Sequence, residues 1–108
     1  MALYFDVYIS ASKSKPGYYN VEPNPAVLKR EHSGIRFRNY TKATLKIDLS
    51  QVPGFKNFAS LQVLANGVAV AEADAMAVKA GVWPYGLSVG DFRPETTYDA
   101  SPRVILDV

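Results

Sequence analysis

The sequence predicts an all-β protein: a two-sheet Greek-key β-sandwich of about seven to eight short strands. Apolar residues recur at every second position in segment after segment, and turn signals built on Gly, Pro and Asn separate those segments about every ten residues. The composition agrees. With 48% hydrophobic and 20% charged residues in 108, the chain lies in the ordinary globular range. That length supports one core without disulfides, so residues 1–108 read as a single domain.

The first strand is the clearest. In residues 3–10, Leu3, Phe5, Val7 and Ile9 share one face, while Tyr4, Asp6, Tyr8 and Ser10 share the other. A loop follows and closes on Pro16-Gly17. Pro23 and Pro25 make residues 18–25 an edge strand or an extended connector, with a short strand resuming at 26–30. Residues 35–40 and 43–49 alternate again, with Ile35, Phe37, Leu45, Ile47 and Leu49 inward and Arg36, Arg38, Lys46 and Asp48 outward. The short connection between them predicts a hairpin. In the loop after Pro53-Gly54, Phe55 and Phe58 are expected to cap an open end of the core.

Asn66-Gly67 lies between apolar runs and predicts a second, two-residue hairpin, because both central residues of such a turn need positive φ. For residues 68–80 two readings compete. Alanine content favours a helix, but alanine at every second position makes a uniform face only in a strand, and the strand is preferred. Residues 81–90 read as a strand broken by Pro84, residues 91–101 as a polar loop, and residues 102–108 as the closing strand.

Twelve basic residues stand against ten acidic ones, a net charge of +2, so no broad basic face is present for nucleic acid. The densest positive run, Lys29, Arg30, Arg36, Arg38, Lys42 and Lys46, is interrupted by Glu31 and Asp48 and reads as a solvated face. The chain has no cysteine, which removes disulfides, thiolate metal ligands and cysteine nucleophiles. No stretch approaches the ~20 apolar residues of a membrane span. Asp6 stands where a signal peptide would be basic or apolar, so the expectation is a cytoplasmic protein unless a leader has been removed.

Three segments resemble cupredoxin-like domains. Residues 35–41 end in an aromatic-x-Asn-x-Thr pattern at Phe37, Asn39 and Thr41. Gly81-Val82-Trp83-Pro84-Tyr85 is similar to the family's Gly-x-aromatic-x-Tyr strand, and residues 101–107 resemble its closing strand. The resemblance implies a cupredoxin-like sandwich, with an immunoglobulin-like one as the other fold of this class. It does not carry the family's copper chemistry, which needs two histidines and a cysteine. His32 is the only histidine and precedes the Asn39 strand, whereas the first family ligand follows it. Leu87, Ser88 and Val89 occupy the positions after Tyr85, so the expectation is a copper-free relative with no metal and no cofactor.

No nucleophile motif is present, and no catalytic residue is assigned. Among seven tyrosines and one tryptophan, Tyr4, Tyr8, Tyr40, Trp83 and Tyr85 are the candidate binding residues. Such side chains offer large rigid contact area at low entropy cost. The first reading is a non-catalytic binding or assembly module, whose partner is another protein or a second copy joined through an edge strand. Two alternatives stay open. One is a carbohydrate-binding module on Trp83 and the tyrosines, with a glycan or other small molecule as ligand. The other is a small metal-dependent enzyme or calcium-binding domain that brings together His32, Glu72 and Asp74.

Overall fold

The computed structural model describes residues 2–55, 60–74, 76–95 and 102–108. The described residues form strands and no helix. In chain order the strands are β1 (Tyr4–Ala11), β2 (Tyr18–Glu22), β3 (Ala26–Lys29), β4 (Gly34–Asn39), β5 (Leu45–Asp48) and β6 (Leu61–Val63), then β7 (Val68–Glu72), β8 (Gly81–Pro84), β9 (Gly86–Val89), β10 (Arg93–Pro94) and β11 (Arg103–Asp107). They make one five-stranded sheet, β10-β2-β1-β4-β7, and two three-stranded sheets, β3-β11-β8 and β6-β5-β9. None of the described residues forms a helix long and apolar enough to cross a membrane.

Side-chain alternation explains the core. From the five-stranded sheet, Val7, Ile9, Ile35, Phe37 and Ala71 point inward; Leu45, Ile47, Val63 and Val89 do so from β5, β6 and β9; Ala26, Leu28, Val104 and Leu106 come from β3 and β11. All belong to one hydrophobic cluster. The Phe37 and Tyr85 rings meet edge to face at 5.9 Å between centroids, joining the five-stranded sheet to the break between β8 and β9. Phe55 is buried as expected, whereas Phe58 lies outside the described residues.

Both expected hairpins are corrected. β4 and β5 do not pair: β4 lies between β1 and β7, while β5 lies between β6 and β9. Likewise β6 and β7, on either side of Asn66-Gly67, belong to different sheets. The turn itself also differs: Asn66 takes positive φ (58°) but Gly67 does not, and the Gly67 amide donates to the Leu64 carbonyl (2.8 Å), so the turn spans residues 64–67 with Asn66 in third place and carries the chain from one sheet to another. A buried polar knot sets that path. Asn39 Nδ2 lies within donating distance of the Ala43 (2.7 Å), Val63 (3.2 Å) and Leu64 (3.3 Å) carbonyls. Its Oδ1 accepts from the Thr41 amide (2.9 Å) and hydroxyl (2.6 Å). Asn39 and Thr41 are each 1% exposed, so these bonds replace water that cannot reach them. The knot ties the end of β4 to the start of β5 and the end of β6.

Residues 68–72 form a strand, in line with the two-residue period, but the chain then leaves the sheet. Asp74 ends the extended run: its amide donates to Gly54 O (2.8 Å), and its Oδ1 accepts from the Met76 amide (3.0 Å). Ala75, the next alanine of the stripe, lies outside the described residues.

Candidate functional site

The outer face of the five-stranded sheet gathers three of the five candidate binding residues, Tyr4, Tyr8 and Tyr40, with charged and aliphatic neighbours. Parallel pairing of β1 with β4 sets Asp6 beside Arg36 and Tyr8 beside Arg38. Antiparallel pairing of β4 with β7 then sets Val70 beside Arg36 and Val68 beside Arg38. Because alternate residues share a face, Tyr4, Asp6, Tyr8, Arg36, Arg38, Val68, Val70 and Glu72 all lie on it. Tyr40 joins them just past β4. Its amide donates to the Ile9 carbonyl (2.8 Å), and its ring stacks on Tyr8 with centroids 6.1 Å apart and planes 6° from parallel.

Asp6 organises the charge. Arg36 donates to both of its carboxylate oxygens (2.6 and 3.1 Å), and Arg38 Nε donates to Oδ1 (3.0 Å). Hydrogen bonding from Arg36, seconded by Arg38, holds the Asp6 carboxyl below its ordinary range against the opposing effect of burial. Two cations share one anion, so this part of the face keeps a net positive charge. One row further on, the Tyr4 hydroxyl donates to Glu72 Oε1 (2.8 Å), and that bond pushes the phenol's pKa up. Tyr4 and Glu72 flank Gly34 in the ladder. There a Cβ would collide with the Ala71 carbonyl oxygen and come within 2.9 Å of the Glu72 Cα, so β4 and β7 approach closely because Gly34 has no side chain. The face also exposes apolar surface: Tyr8 is 42%, Val68 52% and Tyr40 56% accessible.

Of the five candidate binding residues, the fold brings Tyr4, Tyr8 and Tyr40 together and separates the other two. Trp83 lies on β8 in another sheet, half-buried, with its indole N–H donating to the Lys79 carbonyl (3.1 Å). Tyr85 is 3% exposed and presents no surface. Its hydroxyl finds no hydrogen-bond partner among the described residues, and burial raises its pKa strongly. Continuing the alternation backward from Val89 through Leu87 would have set Tyr85 inside. Sequence reasoning missed Asp6, Arg36, Arg38 and Val68 as companions of the tyrosines. Their outward phase was legible, but the parallel register of β1 on β4 was not.

A cleft of about 680 Å³ opens at one end of the molecule, where His32 and Glu72 both line it beside Leu28, Arg30 and Val78. Both polar groups are already engaged. His32 Nδ1 accepts from the Lys29 amide (2.8 Å), and its ring meets Phe5 edge to face at 5.6 Å, while Glu72 is bound by Tyr4. Among the described residues no three His, Cys, Asp or Glu side chains converge as a metal site. A cupredoxin copper centre does not fit the donors either: residues 42–44 and 86–89 hold no histidine, cysteine or methionine. Comparison with known proteins matched no family model, no curated protein and no solved structure.

Proposed function

We propose that the protein is a non-catalytic assembly module on a copper-free, cupredoxin-like two-layer sandwich, self-associating through the outer region of its five-stranded sheet. The fold reading draws support from strand continuity. β2 runs into β3 across Pro23 and Pro25, and β8 into β9 across Tyr85, which leaves eight strands once the two-residue β10 is set aside. The segments that resemble the family are strands: residues 81–84 pair antiparallel with residues 103–106, and residues 35–39 lie inside the five-stranded sheet.

One observation carries the assembly reading. Stacked Tyr8 and Tyr40, the Arg36–Asp6–Arg38 cluster and exposed Val68 share one sheet face. Tyrosine and arginine beside exposed aliphatics are the residue types enriched where proteins meet. A glycan platform has less support, because Trp83 lies apart from the tyrosines and Tyr85 is buried. Sedimentation equilibrium from about 10 µM to about 1 mM tests the proposal, a range suited to a contact of small area. The average mass should rise above the 11.8 kDa of one chain as concentration increases. A mass of one chain throughout would overturn the reading.

A further inference from the structure

We infer that a second copy of the chain docks by adding its β7 to β7, antiparallel about a twofold axis through Val70, so that two five-stranded sheets become one ten-stranded sheet. This rests on the assembly reading and specifies its geometry.

The backbone of β7 is half-used. The Ala73 amide donates to Ser33 O (2.9 Å), and the Asn39 amide donates to Gly67 O (2.9 Å). With the register Ile35↔Ala71 and Phe37↔Ala69, the odd-numbered residues of β7 therefore face β4. Val68, Val70 and Glu72 turn their amides and carbonyls the other way, and no described strand pairs with them there. Proteins commonly guard such an edge with lysine, proline or a bulge. Residues 68–72 carry none of these; Glu72 is the only charge, and it is bound to Tyr4.

A second β7 fits this edge better than an unrelated strand because the sequence complements itself. Centred on Val70, the pairing sets Val70 against Val70 and Val68 against Glu72, with about six main-chain hydrogen bonds among three hydrogen-bonded residue pairs. The valines at the axis pack as an apolar cross-strand pair. Glu72 of the second copy then follows Val68 in the row that begins Tyr8, Arg38, Val68. Two strand spacings, about 10 Å, separate its backbone from that of Arg38, so Glu72, turned from its own Tyr4 hydroxyl toward the other copy, comes within reach of Arg38 across Val68. The positive charge left over from the Asp6 cluster thus meets an acid of the other copy, twice by symmetry. Moving the axis to Glu72 would set like charges face to face and is disfavoured.

Val70→Pro tests the pairing. The Val70 amide points away from β4, so proline there removes an edge donor and leaves the β4 ladder intact. Val70→Lys is the second variant, with two ammonium groups meeting at the axis. Each variant is checked by circular dichroism and thermal melting, then sedimented beside wild type and a Tyr8→Ser/Tyr40→Ser double variant. The inference expects both Val70 variants to keep the wild-type spectrum and to associate at least tenfold more weakly, while the double variant, altered on the face and not at the edge, weakens association by less than either Val70 variant. Folded Val70 variants that associate like wild type, with a monomeric tyrosine variant, would overturn edge pairing and leave the assembly reading standing. Wild type that stays monomeric at about 1 mM overturns both.

Discussion

Two polar networks, the Asn39–Thr41 knot and the Asp6–Arg36–Arg38 cluster, use similar hydrogen bonds for different ends. The knot lies under the turn that separates the sheets, with both side chains about 1% exposed. Asn39 Nδ2 reaches the Ala43, Val63 and Leu64 carbonyls and so joins segments on either side of that turn, while Thr41 holds its Oδ1 in place. The cluster lies on an open sheet face, with the Asp6 side chain 23% and the Arg36 and Arg38 side chains 34% and 29% exposed. There water competes for the same donors, and a pair contributes little to folding. Burial decides which network holds the fold and which stays available to a partner.

Substitutions that separate the two roles sharpen this contrast. Asn39→Ala should cost the most, about 3 kcal/mol in urea denaturation, because it strips several buried partners at once. A loss under about 1 kcal/mol would show that the knot does not hold the sheets. Gly34→Ala should cost about 2 kcal/mol, since its Cβ meets the Ala71 carbonyl at the β4–β7 contact; a wild-type melting curve would show that the strands part easily there.

Asp6→Asn should cost only about 1 kcal/mol, leaving two arginines without their carboxylate. Its pH dependence has a definite sign. The folded-state pKa of Asp6 lies below the unfolded one, so its contribution is full above about pH 4 and fades as pH falls through the folded value. Wild type and Asp6→Asn should therefore converge in stability in acid and diverge near neutrality, as urea titrations at several pH values would record. Tyr85→Phe should be neutral to stabilising, by up to about 1 kcal/mol, because it removes a buried hydroxyl without a partner among the described residues. A marked loss of stability would mean that the hydroxyl is paired after all.

Much of the fold was legible. Alternation located the strands at 3–10, 35–40, 43–49 and 102–108, because a half-buried strand writes its period directly into the sequence. Strand partners were not legible. Two segments joined by a tight turn look like a hairpin whether they pair with each other or, as at Asn66-Gly67, with strands from elsewhere. The exposed face was half legible: Tyr4 and Tyr8 read as outward, and Arg36 and Arg38 as outward, but only the parallel register joins them around Asp6. Asn39 and Thr41 stood out as a motif, yet their work as a buried tie depends on carbonyls at Val63 and Leu64, more than twenty residues away.

Amide hydrogen exchange followed by NMR at two protein concentrations tests most directly how copies meet, with β7 of one added to β7 of the other at the edge of this sheet. From about 10 µM to about 1 mM, the amides of Val68, Val70 and Glu72 should gain protection, while those of Ala69 and Ala71, already paired with β4, should exchange slowly at both. Exchange at Val68, Val70 and Glu72 that is fast and equal at both concentrations would contradict it.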